Sequence, residues 1–139
     1  MNAAREPPAK SAATQREPTA FDPLGPLPRG VTLLEASAGT GKTYSITSLY
    51  VRLVIEEGVK VDEILAVTFT QAATAELTTR IRKRLGEAHR ILHDHARLED
   101  IASKDEVLAH LARLPSDGEA AKDYAERARA AVEGFDRAN

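Results

Sequence analysis

The sequence predicts an α/β fold, a partial parallel sheet followed by a helical C-terminal subdomain, and three observations carry that prediction. Two short apolar runs, 31–35 and 64–69, have the character of strands buried on both faces. Each is followed by a stretch whose apolar residues recur at helical spacing, the alternation that makes a right-handed βαβ unit. Beyond residue 97 the chain is Ala-rich and helically periodic, with no strand signal.

Taken in order, residues 1–20 mix Ala, Ser, Thr and charges with Pro7, Pro8 and Pro18, and read as a disordered leader. Phe21-Asp22-Pro23-Leu24-Gly25-Pro26-Leu27-Pro28 reads as an extended strap lying on the domain, by packing rather than by contact with a ligand. Val31-Thr32-Leu33-Leu34-Glu35 is the first expected strand. Tyr44, Ile46, Leu49, Tyr50, Leu53 and Val54 then keep helical spacing up to Gly58, a residue suited to a helix C-terminus.

The junction between them is Ala36-Ser37-Ala38-Gly39-Thr40-Gly41-Lys42-Thr43. Backbone N–H groups crowd around a phosphate only where side chains are small or absent, and Ala38, Gly39 and Gly41 meet that need. A helix starting near Lys42 adds its free N–H groups and positive dipole end. Lys42 has the reach for the β- and γ-phosphates, and the Thr43 hydroxyl suits Mg²⁺. Ala36 stands where the common pattern has Gly, a mild departure that keeps the residue small. A nucleoside triphosphate with Mg²⁺ is therefore the expected ligand, and residues 36–43 its expected site.

After a connector at 59–63 comes the second expected strand, Ile64-Leu65-Ala66-Val67-Thr68-Phe69, and Thr70 as the cap of a helix reaching about Arg97. Leu77, Ile81, Leu85, Ala88 and Leu92 line one apolar face of that helix. Arg80, Arg82, Lys83 and Arg84 form a dense basic cluster, read first as a solvated face. Farther on, one helix carries Leu98, Ile101, Val107, Leu108 and Leu111. A turn at Pro115-Ser116-Asp117-Gly118 leads to another helix with Tyr124, Ala128, Ala131, Val132 and Phe135. His89, His93 and His95 read as surface residues, since no metal-ligand spacing accompanies them.

Composition narrows the class. The 139 residues suffice for one core, the net charge of −2 implies no strongly basic surface, and without cysteine there is neither a disulfide framework nor a thiolate metal site. No apolar run approaches bilayer length, so a cytoplasmic protein without membrane contact is expected. A nucleotide hydrolase also needs an apolar strand ending in Asp-Glu to hold Mg²⁺ and position water. The nearest match, Leu53-Val54-Ile55-Glu56-Glu57, falls inside the expected first helix, and the chain reads as the N-terminal part of a larger protein.

Two motifs together carry a family resemblance. Glu35 to Thr43 resembles the first helicase motif of the superfamily 1 UvrD/Rep-like DNA helicases, and Val67-Thr68-Phe69-Thr70-Gln71-Ala72-Ala73-Thr74-Ala75-Glu76-Leu77-Thr78-Thr79-Arg80-Ile81 resembles their next motif. With the Phe21-Asp22-Pro23-Leu24 leader, the wording is most similar to the RecB-type beta subunits of exodeoxyribonuclease V, and the resemblance covers about residues 21–92. It implies a P-loop NTPase (RecA-like) fold, with residues 21–97 as the start of a UvrD-like ATP-binding domain and 98–139 as a truncated helical subdomain. It also implies that Lys42 and Thr43 serve ATP and Mg²⁺ in catalysis, and that Thr68, Phe69 and Thr70 lie along single-stranded DNA. The implied partners are DNA, both single strands and duplex ends, and the gamma and alpha subunits of exodeoxyribonuclease V. The implied function is unwinding of DNA in double-strand break repair and recombination, with exonuclease activity in the whole enzyme. A related superfamily 1 helicase without the nuclease, a helicase–nuclease of the AddA type, a small P-loop kinase and a non-hydrolysing nucleotide-binding module stay open as alternatives.

Overall fold

Residues 19–37, 39, 41–93, 104–115 and 118–138 are described by the structure, a computed structural model. The leader at 1–18, Ala38, Thr40, His95, Arg97, Leu98, Ile101, Ser116 and Asp117 lie outside the described residues. Helix α1 spans Lys42–Ile55, a 3₁₀ turn Val61–Glu63, α2 Gln71–His93, α3 Glu106–Leu111 and α4 Gly118–Ala138.

Local chemistry explains the helix limits. Gly41 opens α1 at φ 91°, a left-handed conformation that costs a side-chain-bearing residue strain. At the other end, Gly58 turns the chain away at φ 72°. Arg127 of α4 comes so close that a Cβ on Gly58 would lie 3.1 Å from the guanidinium carbon. That guanidinium donates from Nη1 to the Ile55 and Glu56 carbonyls at 2.9 and 2.8 Å, giving the end of α1 the acceptor partners a helix terminus otherwise lacks. Thr70 caps α2 as its sequence position implies, its Oγ1 accepting from the Ala73 N–H at 3.1 Å. Asp105 caps α3, accepting from the Val107 and Leu108 N–H groups.

All four helices among the described residues contribute to one hydrophobic cluster. Tyr50, Val51, Val54 and Ile55 of α1 meet Leu77, Ile81, Leu85, Ala88 and Ile91 of α2, with Leu108 and Leu111 of α3 and Ala128, Ala131 and Phe135 of α4. Tyr50 and Phe135 pack edge to face at 6.3 Å between ring centres. Each fully enclosed aliphatic side chain here, Ile55, Leu85 and Leu111 among them, contributes about 1.5–3 kcal/mol of burial.

The expected parallel sheet does not form: the described residues contain no strand. Neither 31–35 nor 64–69 is hydrogen-bonded as one, and most of their large side chains face solvent, Val31 at 104% and Phe69 at 106% relative exposure, with Leu33, Leu65 and Val67 also exposed, while Ile64 packs against the helical core. The physical reason lies in what a strand requires. A parallel pair needs further strands for its backbone groups and layers covering both faces, and two strands are too few to be stable. The helices bury their apolar faces against one another instead, so α1 and α2 pack directly rather than across a sheet. The α/β reading is corrected to a helical body with two exposed apolar segments.

Candidate functional site

The loop at 36–43 ends in two residues of left-handed backbone, Gly39 at φ 78° and Gly41 at φ 91°. A Cβ placed on either would meet no atom within 4 Å, so conformation and not crowding requires glycine, and the space beside this backbone is open. Helix α1 begins immediately, with no side-chain cap and no acidic residue in its first turn. Its first N–H groups and dipole thus present positive potential that no carboxylate of that turn cancels. Ser45 turns inward, donating from both its N–H and its hydroxyl to the Gly41 carbonyl at 2.9 and 3.2 Å. Lys42 is exposed, and its ammonium folds back to donate to the Ala36 carbonyl at 2.5 Å, bridging the loop's first residue and its end. Ser37 is exposed and Thr43 half-buried in the same turn.

Helix α2 fixes the start of α1 through Arg84. This residue is only 8% exposed, and its guanidinium carbon sits 4.8 Å from the centre of the Tyr44 ring. Nη1 donates to Thr47 Oγ1 at 3.1 Å and Ser48 Oγ at 2.9 Å, and Nη2 to Asp105 Oδ1 at 2.8 Å. The Tyr44 hydroxyl also donates to Asp105 Oδ1, at 3.4 Å. Burial, and secondarily the Asp105 charge, raise the Tyr44 pKa above the usual tyrosine value, so the phenol stays protonated.

At the start of α2, Thr68 Oγ1 lies 2.5 Å from Thr74 Oγ1 and donates to the Thr70 carbonyl at 3.2 Å, while Thr70 is occupied as the cap. Phe69 between them projects into solvent. These bonds fix the backbone of the turn and leave one aromatic face accessible.

A family model for the UvrD/REP helicase N-terminal domain matches residues 17–128. The chain belongs to this family. Among its UvrD/REP relatives, it is 42% identical over 120 residues to the RecBCD enzyme subunit RecB of Mycobacterium tuberculosis, a match covering 85% of this chain and 10% of that protein. It is 44% identical over 101 residues to the RecB subunit of Haemophilus influenzae, covering 64% of this chain and 8% of the relative. With the RecB subunit of Escherichia coli it shares 50% identity over 75 residues, 48% of this chain and 6% of the relative. The chain thus spans about a tenth or less of the length of these relatives. No solved structure matches.

The strap is held by hydrogen bonds rather than by core packing: Asp22 closes a turn by accepting from the Leu24 N–H, and Arg52 of α1 donates from Nη1 to the Pro23 and Gly25 carbonyls at 2.8 and 2.7 Å. Arg52 simultaneously pairs two-pronged with Glu56, which also lies 3.3 Å from His110 Nε2. Glu56, one of the two carboxylates of the superficial Mg²⁺-type match, is therefore committed to the strap clamp at the far end of α1 from the loop.

The basic cluster divides. Arg80 pairs with Glu76, Arg82 with Asp136 and Lys83 with Glu87 on exposed faces, whereas Arg84 is inside. Sequence reasoning missed that role. The signal was available, because Arg84 falls in register with Ile81, Leu85 and Ala88 on the buried stripe. His89 and His93 stack on each other at 5.8 Å, and among the described residues no group of acidic or histidine side chains could hold a metal ion. A shallow depression lined by Thr78, Arg82, Phe135 and Asp136 includes no residue of the loop or of Thr68–Thr70. No described helix is long and apolar enough to cross a membrane.

Proposed function

We propose that this chain supplies the ATP-binding portion of an ATP-dependent DNA helicase subunit of the RecB kind, acting in the cytoplasm in double-strand break repair and recombination. The observation that carries the proposal is the uncapped, acid-free start of α1, placed directly after two left-handed glycines and carrying Lys42 and Thr43 at its first positions. The open space beside Gly39 and Gly41 suits phosphate oxygens approaching backbone N–H groups.

In this reading Ala36, Ser37, Ala38, Gly39, Thr40 and Gly41 form the cradle. Lys42 would exchange its bond to the Ala36 carbonyl for phosphate oxygens, and the Thr43 hydroxyl would hold Mg²⁺. Mg²⁺, when bound, neutralises charge on the phosphoryl group being transferred. Thr68 and Thr70 hold the turn that presents Phe69, whose exposed ring offers a stacking surface to successive bases of a single strand. Of the basic residues of α2 outside the core, Arg80, Lys83 and Arg82 are paired with Glu76, Glu87 and Asp136. Partners of the complete subunit would be single-stranded DNA, duplex ends and the gamma and alpha subunits of an exodeoxyribonuclease V, with nuclease activity residing elsewhere in that enzyme.

DNA-dependent ATPase activity of the complete subunit tests the reading. Lys42→Ala is expected to abolish turnover while the protein remains folded, and near-normal turnover would refute the assignment.

A further inference from the structure

Arg84 stands out among the charged residues because it is buried, lies outside both motifs, and joins the helices that carry them. On one side it holds Tyr44, the residue directly after Lys42 and Thr43, by its guanidinium face, and it is bonded one turn later to Thr47 and Ser48. On the other side it belongs to α2, an unbroken 23-residue helix whose start is capped by Thr70 beside Phe69. Thirteen residues of helix separate Gln71 from Arg84, about 20 Å of rigid rod. Burying the charge is costly, and the arrangement leaves Nε with no hydrogen-bond partner among the described residues. Tying α1 to α2 by packing alone would need none of this, since Val51, Ile55, Ile81 and Leu85 already do so.

We propose that Arg84 is a positioning residue that couples the phosphate-binding turn to the Thr68–Thr70 segment: it locks Tyr44, and with it Lys42 and Thr43, to the helix whose start meets the DNA strand. The proposal rests on the ATP and DNA roles assigned above. A displacement of the α2 start on engaging a strand then moves the rod and, through the Arg84 fork and the Tyr44 ring, changes how Lys42 and Thr43 are presented. Lysine in its place keeps the charge but loses the planar fork that reaches Thr47, Ser48 and Asp105 together.

The test uses the complete subunit with Arg84→Lys, measuring ATPase with and without single-stranded DNA, KM for ATP, and strand affinity with and without a non-hydrolysable ATP analogue. Stimulation of ATPase by DNA is expected to fall about tenfold, within the range usual for coupled sites, and the analogue's effect on strand affinity to shrink as well. A merely structural role predicts a lower melting temperature with both ratios unchanged in the folded protein, and that result overturns the proposal. Should Arg84→Lys fail to fold, Tyr44→Leu is read instead: it removes the ring but leaves Arg84 bonded to Thr47 and Ser48, and unchanged ratios in that variant overturn the proposal equally. Lys42→Ala in parallel separates the two levels. Retained turnover in Lys42→Ala defeats the nucleotide reading itself, whereas lost turnover there with intact DNA stimulation in Arg84→Lys defeats the coupling alone.

Discussion

Truncating Phe69 distinguishes two roles that an aromatic residue at this position can have. Burial of a Phe side chain makes its replacement by Ala cost about 3–5 kcal/mol. Phe69 is 106% exposed, so Phe69→Ala removes no buried area, and stability is expected to change by no more than about 0.5 kcal/mol. The Thr68–Thr74 contact and the Thr70 cap do not involve the ring and keep the turn in place. Stacking on one base contributes about 1–3 kcal/mol. Strand affinity should therefore weaken about 5- to 150-fold, with little dependence on base sequence. Fluorescence anisotropy with oligonucleotides of differing composition, and calorimetric melting of the same preparation of the complete subunit, supply both numbers. Unchanged affinity would refute the DNA role, and a melting loss equivalent to several kcal/mol would show the ring buried.

Three further outcomes are expected. Arg52→Ala leaves Glu56 without its two-pronged partner and frees the Pro23 and Gly25 carbonyls, so folding should lose about 3–5 kcal/mol and limited proteolysis should open the strap at 21–28. Denaturant melts and cleavage mapping check both effects. Gly41→Ala meets no steric obstacle but places a Cβ at φ 91°, so it should cost about 1–2 kcal/mol and lower nucleotide affinity; unchanged melting would show that the turn is not held in this conformation. Burial raises the pKa of Tyr50 above the usual value near 10, so the folded chain holds that proton more tightly than the unfolded one. The resulting stability is fully present below about pH 10 and lost above it, as pH rises through the raised pKa of the folded chain, and Tyr50→Phe should flatten this alkaline decline in thermal melts.

The helices were legible because their signals are local. Thr70 is a cap, Gly58 a terminator, and Leu77, Ile81, Leu85 and Ala88 a buried face, all from spacing and side-chain chemistry. The stripe drifts at its end, where Ile91 is buried and Leu92 only partly so, as expected of a helical period that does not divide evenly into sevens. The sheet was misread because an apolar run reports a tendency to be buried, not the presence of a neighbour to bury it. Val31, Leu33, Leu65 and Val67 have that tendency and no such neighbour among the described residues. The backbone of the loop was legible in part, with Gly39 and Gly41 in the left-handed conformations that their identity permits. Its fixation was not, because Arg84, Tyr44 and Asp105 meet across 21 to 61 positions of sequence and are linked only by folding.

The account depends most on the claim that residues 36–43 bind the phosphates of ATP. Titration calorimetry of Mg-ATP into the complete subunit, in its natural form and as Lys42→Ala, tests this most directly. Lys42 is exposed and its bond to the Ala36 carbonyl is a surface contact, so melting without ligand should shift by no more than about 0.5 kcal/mol equivalent. Loss of a charged hydrogen bond of about 1.5–3 kcal/mol should raise the Kd about 10- to 150-fold. Equal Kd values for the two proteins, both folded, would contradict the account.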